Sequence, residues 1–238
     1  MSSKPCPDTA TPGGILLVDK PKDFTSHDII AISRRVLKTK KIGHSGTLDP
    51  LATGLLILLI GREATKQQEK FLRMEKVYCA TLRLGEETDS WDAYGQVLSR
   101  QTVSPLTNKQ VTQAVEELTG TIEQPIPFFS AKKINGTPMY SLARRGTEME
   151  RKYNQVTVQW SNVCLEDNST ITFTVHCSCG TYVRSLGYLL AKKLGTVGHL
   201  TQLRRLQIGP YQVKDAFDGN LLKTCSVEKI YPYLRPVL

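Results

Sequence analysis

Between Ile42 and Gly61 the only formally charged side chain is Asp49. Gly46 stands before it, Pro50 follows it, and an apolar run from Leu55 to Ile60 comes next. A carboxylate in such surroundings is costly to bury unless it is paired or hydrogen-bonded. Carboxylates isolated in this way are candidates for a nucleophile or a general base. The same residues also suit a helix start, with Asp49 as N-cap and Pro50 at the first helical position. Local chemistry leaves the two readings level.

Three further side chains could join such a carboxylate. Arg184 lies in Gly180-Thr-Tyr-Val-Arg-Ser-Leu186, near the start of a predicted helix. A cation there opposes the helix macrodipole, so it needs another reason to be present. An ion pair with a carboxylate such as Asp49 is one reason; a surface arginine with its stem packed on the protein is the other. Tyr78 opens a predicted strand and shares a face with Ala80, Leu82 and Leu84. That pattern reads first as a core aromatic, with a ring on which a nucleobase stacks as the alternative. His44 sits in a glycine-rich turn and reads first as a hydrogen-bonding turn residue. His176-Cys177-Ser178-Cys179 raises the question of metal, but no second ligand pair stands at structural-zinc spacing, so no metal is expected.

The elements that must position these residues follow from periodicity and turn chemistry. Gly14–Asp19 reads as a short strand ending at Lys20-Pro21. Thr25 or Ser26 caps a helix with Ile29, Ile32 and Val36 at helical spacing, closed by the run Lys38-Thr-Lys-Lys41. Val77–Leu84 alternates as a strand. Thr107-Asn-Lys-Gln110 opens a helix through Val111, Ala114, Val115 and Leu118, and Gly120 ends it. Thr137-Pro138 starts a short helix ending at Gly146. Val156–Trp160 and Ile171–Cys177 read as strands, Thr181–Leu194 as a helix, and Gln207–Val213 as a last strand. Helices and strands mix without strict alternation, which predicts an α+β fold with a mixed, largely antiparallel sheet flanked by helices.

Composition narrows the function. Lys plus Arg number 31 against 22 acidic residues, a net charge of +9. Such a balance favours a polyanionic partner. No apolar run is long enough for a membrane span. The N-terminal segment, with Pro5, Pro7, Asp8 and Pro12, has no apolar signal core. Six scattered cysteines do not form a disulfide framework and suit a reducing cytoplasm. Neither a Walker-type phosphate loop nor a Gly-x-Gly-x-x-Gly fingerprint is present, so no nucleotide cofactor is expected. Residues 1–12 read as a flexible tail, 13–210 as the catalytic domain and 211–238 as a short extension.

The stretch Gly43-His-Ser-Gly-Thr-Leu-Asp-Pro-Leu-Ala-Thr-Gly54 closely resembles the catalytic motif of the TruB family of tRNA pseudouridine synthases. The resemblance implies the pseudouridine synthase fold and makes Asp49 the catalytic nucleophile. Lys76-Val-Tyr78 resembles the motif whose tyrosine packs on the target uracil, which implies that role for Tyr78. Gly180–Leu186 resembles the motif whose arginine pairs with the catalytic aspartate; this implies Arg184, with Tyr182 as its support. His199-Leu-Thr-Gln-Leu-Arg-Arg205 resembles the segment whose leucine lines the uracil pocket, here Leu203. Lys20-Pro21, Glu63-Ala-Thr-Lys66, and Pro127–Gly136 continuing through Tyr140–Gly146 match further family motifs in order. They imply that Lys20 and Lys66 bind substrate, and the resemblance of the Gly43–Gly54 motif implies that His44 holds the substrate loop with its base flipped out.

Two departures stand out. Family members commonly carry a C-terminal PUA domain, whereas only about 28 residues follow Pro210 here, and Ile126-Pro127 replaces the family's Pro-Pro. The implied activity is isomerisation of uridine to pseudouridine at position 55, in the TΨC arm of tRNA. The absence of heptads and interface stripes adds the expectation of a monomer, and the cysteines that of a cytoplasmic protein. A reaction without redox change or group transfer adds that of no cofactor and no obligate protein partner. The reaction breaks N1–C1′, turns the uracil and joins C5 to C1′. An ionised carboxylate can attack C1′ or C6, or assist elimination at the sugar. Lys20, Lys38–Lys41, Lys132-Lys133, Arg144-Arg145 and Arg204-Arg205 are the candidate phosphate contacts; each pair alone reads first as a solvated face, and it is their sum that the net charge supports.

Overall fold

The computed structural model describes residues 13–134 and 136–237, so the expected tail at 1–12 lies outside the described residues. The apolar run after Asp49 forms the strand Thr53–Ile60, paired antiparallel with Gly14–Lys20. Its continuous apolar character follows from burial on both faces. Leu56, Leu58 and Ile60 pack against Ile29, Ile30 and Ile32 of helix Ser26–Val36. Leu55, Ile57 and Leu59 pack on the opposite side with Ala64 and Phe71. Thr25 caps the helix in a reciprocal capping box with Asp28.

A second group of strands, Lys76–Leu84, Thr170–Cys177, Tyr153–Asp167 and Gly120–Pro125, is antiparallel throughout. Tyr78, Ala80, Leu82 and Leu84 are buried on one face, with exposed or half-buried residues between them. That face packs against helices Asn108–Glu116 and Val183–Lys193. The two groups join at the strand Gly198–Ile208. It is antiparallel to Lys76–Leu84 and parallel to Thr53–Ile60, where Arg204 and Arg205 oppose Thr53 and Gly54. Gly54 has φ +101°, and a Cβ there would lie 2.3 Å from the Arg205 carbonyl oxygen. Only glycine lets the chain leave the Asp49 loop so close to that backbone. The sheet is thus mixed and largely antiparallel, as expected.

Several boundaries differ from the sequence reading. The strand expected at Gln207–Val213 is instead Gly198–Ile208, followed by a turn and a two-residue return at Tyr211–Gln212. Register shifts at Leu200/Gln202 and Arg205/Gln207 break its period of two, which hid it from alternation. Val156–Trp160 is the middle of a strand spanning Tyr153–Asp167. Thr137-Pro138 belongs to a short hairpin, and the helix there runs Met139–Arg144. Asp49 caps no helix: residues 45–52 form an irregular loop in which the Ala52 N–H donates to the Asp49 carbonyl. Within the expected C-terminal extension, Phe217–Asp218 and Leu234–Arg235 pair with Gly14–Lys20, and Phe217, Leu222 and Ile230 join the core.

Candidate active site

The Asp49 loop is held from several sides. The Leu48 N–H donates to Ser26 Oγ at 2.8 Å, and the Ser45 N–H to the Ile57 carbonyl. The Asp23 N–H donates to the Pro50 carbonyl. The Gly46 carbonyl accepts from Arg205 Nη2 at 3.1 Å. With its backbone fixed, Asp49 keeps a side chain 34% exposed.

Arg184 enters on the first turn of helix Val183–Lys193. Its Nε lies 2.9 Å from Asp49 Oδ2, and Nη1 lies 3.6 Å from Asp92 Oδ2. Nη1 also donates to the Ser90 carbonyl at 2.7 Å, and Nη2 to the Phe129 carbonyl at 2.9 Å. The cation that was misplaced for the helix dipole is therefore compensated by two carboxylates and two carbonyls. Asp92, buried itself, is fixed by Ser90 Oγ and by the Tyr94 N–H. The turn before the helix is secured by buried Gln124, whose Nε2 donates to the Gly180 carbonyl and whose Oε1 accepts from the Tyr182 N–H.

These groups meet at a cavity of about 300 Å³. Asp49, Tyr78, Tyr182, Arg184 and Leu203 line it, with Lys76, Cys177 and Arg205. Tyr78 and Leu203 come from adjacent strands and share a face through the pairs Tyr78–Arg205 and Ala80–Leu203. Burial pushes the Tyr78 phenol above its usual value, against the opposing pull of nearby Arg205. The phenol is thus a protonated ring in the neutral range. Burial pushes the Lys76 ammonium down to about 8, while Leu72 and Met74 carbonyls accept its hydrogens. A wider groove of about 860 Å³ shares Asp49, Arg184 and Ser130 with the cavity and extends past Tyr94, Tyr140 and Arg144.

Five of the eight expected site residues therefore converge: Asp49, Tyr78, Tyr182, Arg184 and Leu203. The structure does not bring Lys20, Lys66 or His44 to the cavity wall. Lys20 is fully buried, and its Nζ donates to the Pro21 and Phe24 carbonyls. Burial moves its ammonium down to about 8 against the opposing pull of Asp49. Lys66 is exposed and pairs with Glu63 at 2.8 Å. His44 Nδ1 accepts from the Gly46 N–H, the turn role that its position suggested. Burial, with help from His27 and Arg205, pushes its imidazole down to about 4.

Of the expected phosphate cations Arg204 and Arg205, only Arg205 is corrected by its burial, while Arg204 is partly exposed and paired with an acid. Arg204 forks onto Asp19 at 2.7 and 2.9 Å, and Arg205 is buried with its Nε donating to the Leu55 carbonyl. Arg205 is turned inward, where carbonyl acceptors offset its desolvation, whereas Arg204 on the other face stays partly exposed beside Asp19. Sequence reasoning missed Ser90, Asp92, Gln124 and Arg205 as parts of the site. The turn-rich stretch Thr88-Asp-Ser-Trp-Asp-Ala-Tyr-Gly95 was the available signal for the first two. Among the described residues, no three His, Cys, Asp or Glu side chains gather in a metal-holding group.

Comparison with known proteins bears on the fold and the family. The fold superposes on a chain of a Cbf5-Nop10-Gar1 complex with TM-score 0.69 at 24% identity, covering 94% of this chain and 60% of that one. Residues 34–183 match the family described as TruB family pseudouridylate synthase (N terminal domain). The class defined by the fold and this family match is thus that of the pseudouridylate synthases. The tRNA pseudouridine synthase B of Aromatoleum aromaticum is 44% identical over 224 residues, 94% of this chain and 72% of that protein. That of Chlamydia abortus is 41% identical over 223 residues, 93% of each chain. The chain belongs to the TruB family.

Proposed function

We propose that this protein isomerises uridine to pseudouridine in the TΨC arm of tRNA, at the position conventionally numbered 55. In this reading it is a cytoplasmic monomer that needs neither cofactor nor protein partner. One observation carries the reading. Asp49, still accessible, is paired at 2.9 Å with Arg184 at the edge of a cavity lined by Tyr78 and Leu203.

The reaction exchanges one glycosidic bond for another. N1–C1′ breaks, C5–C1′ forms, the C5 proton leaves and N1 gains one. No electrons are exchanged with an outside group. A flipped-out uracil would lie between the Tyr78 ring and Leu203, with Asp49 as the nucleophile on the nucleoside. Arg184 aims the carboxylate and balances its charge. Burial pushes the Tyr78 phenol up, so its contribution in this reading is a stacking face and a hydroxyl beside the uracil. Unstacking the target nucleotide costs a few kcal/mol. Exposed Arg144 and Tyr140 on the wider groove would hold the nucleotides beside it.

The test is to incubate the protein alone with an unmodified tRNA transcript and map carbodiimide adducts by primer extension. A single new stop in the TΨC arm is expected. No modification, or modification only after adding a guide RNA or partner protein, would overturn the reading.

A further inference from the structure

Arg151 belongs to no motif that the sequence singled out, and it lies outside the cavity wall. Its guanidinium carbon is 4.2 Å from the centre of the Phe128 ring and 4.6 Å from that of Trp91. Trp91 in turn stacks on Tyr188, with centroids 4.2 Å apart and planes 19° from parallel. Four side chains thus form one continuous stack: Phe128, Arg151, Trp91 and Tyr188. Arg151 Nη1 is buried and has no hydrogen-bond partner among the described residues. The rings are therefore its main stabilisation at that nitrogen.

The members of the stack are next-door neighbours of the groups that hold Arg184. Trp91 lies between Ser90, whose carbonyl accepts from Arg184, and Asp92, whose carboxylate faces it. Phe128 precedes Phe129, the other carbonyl acceptor. Tyr188 is one helical turn beyond Arg184 on the same helix. Arg151 stands at the neck of the 126–152 segment, where the Ile126 N–H donates to the Lys152 carbonyl. Trp91 is also buried with φ +60°, a left-handed conformation that an aromatic residue adopts only when its surroundings dictate it.

We propose that Arg151 is a positioning residue for Arg184: clamped between Phe128 and Trp91, it locks together the two loops and the helix that hold the guanidinium on Asp49. The clamp depends on a planar cation with two usable faces, which lysine does not offer. The inference rests on the proposed reaction for its kinetic readout.

The test compares Arg151→Met, Arg151→Lys and Trp91→Leu with the parent. Single-turnover rates at enzyme excess are measured beside the dissociation constant for tRNA transcript. Each variant is expected to lose about tenfold or more in rate, as small misplacements near reacting groups do. Affinity should change by no more than about threefold, and Arg151→Met/Trp91→Leu should be little worse than either single change. Rescue by lysine, weakened affinity at an unchanged rate, or additive losses would overturn the clamp, because each marks a simple charge or phosphate contact. A substrate-free readout separates the two claims. Solvent exchange of the Arg184 Nε–H, followed by NMR, should be severalfold faster in Arg151→Met, and unchanged exchange would overturn the clamp whatever the activity. Absence of product from the parent would count against the proposed reaction alone.

Discussion

Two arginines line the same cavity, one from a helix and one from a strand, and they are held in opposite ways. Arg184 faces two carboxylates as well as two carbonyls. Arg205 is buried on backbone acceptors: the Leu55 carbonyl at 2.6 Å and the Gly46 carbonyl at 3.1 Å, with the Tyr78 hydroxyl as a side-chain partner. The difference separates two uses of one side chain. A guanidinium on a partly exposed carboxylate orients a reactive group. A guanidinium on carbonyls ties segments together, here the Asp49 loop, the strand Thr53–Ile60 and the strand carrying Tyr78.

The comparison breaks most visibly at Arg184. Arg184→Met strips the cation from Asp49 and from buried Asp92, a change on the order of 3 kcal/mol for a buried pair. The single-turnover rate on tRNA transcript should fall by about 10²–10³-fold, with RNA affinity nearly kept. A tenfold fall in affinity at a parental rate would instead make Arg184 a phosphate contact. At Arg205 the loss should be structural. Arg205→Met removes the guanidinium donor from the Leu55 and Gly46 carbonyls, and urea unfolding should show a loss of about 2–3 kcal/mol. Unchanged stability would mean that those carbonyls find other donors.

A smaller effect sharpens the distinction. His44 is held down to about 4, first by burial, then by His27 and Arg205. Unfolded chain takes up that proton near 6.5, so this histidine's contribution to stability is lost as pH falls from about 6.5 to about 4. In an NMR titration the His44 midpoint should rise in Arg205→Met and stay put in Arg184→Met. Equal movement in both variants would remove the electrostatic asymmetry between the two arginines.

Legibility in the sequence followed how local the information was. Asp49 stood out because no other charge lies near it in the chain, and Arg184 because it opposes its own helix. The strand carrying Tyr78 was legible from strict alternation. Gly198–Ile208 was not, because its register shifts bring Leu200, Leu203 and Arg205 to one face at uneven spacing. Lys20 and Arg205 read as phosphate-seeking cations: the turn that folds the Pro21 and Phe24 carbonyls onto Lys20 is not encoded by any periodicity, and the carbonyls on Arg205 come from segments about 150 residues away. Gln124 and Arg151 were missed because their partners lie tens of residues away in the chain, and Asp92 because its local turn partners Ser90 and Tyr94 say nothing of its distant pairing with Arg184. The 40% of residues that are apolar announced a core without showing that two strands would be buried on both faces.

The central claim is that Asp49 is the group through which uridine is isomerised. It is tested most directly by tritium release from a tRNA transcript carrying 5-³H-uridine, comparing the parent with Asp49→Asn at equal RNA occupancy. The account predicts release by the parent and none by the variant, which keeps the size and shape of the side chain and removes its charge. Release by Asp49→Asn at the parental rate would contradict it.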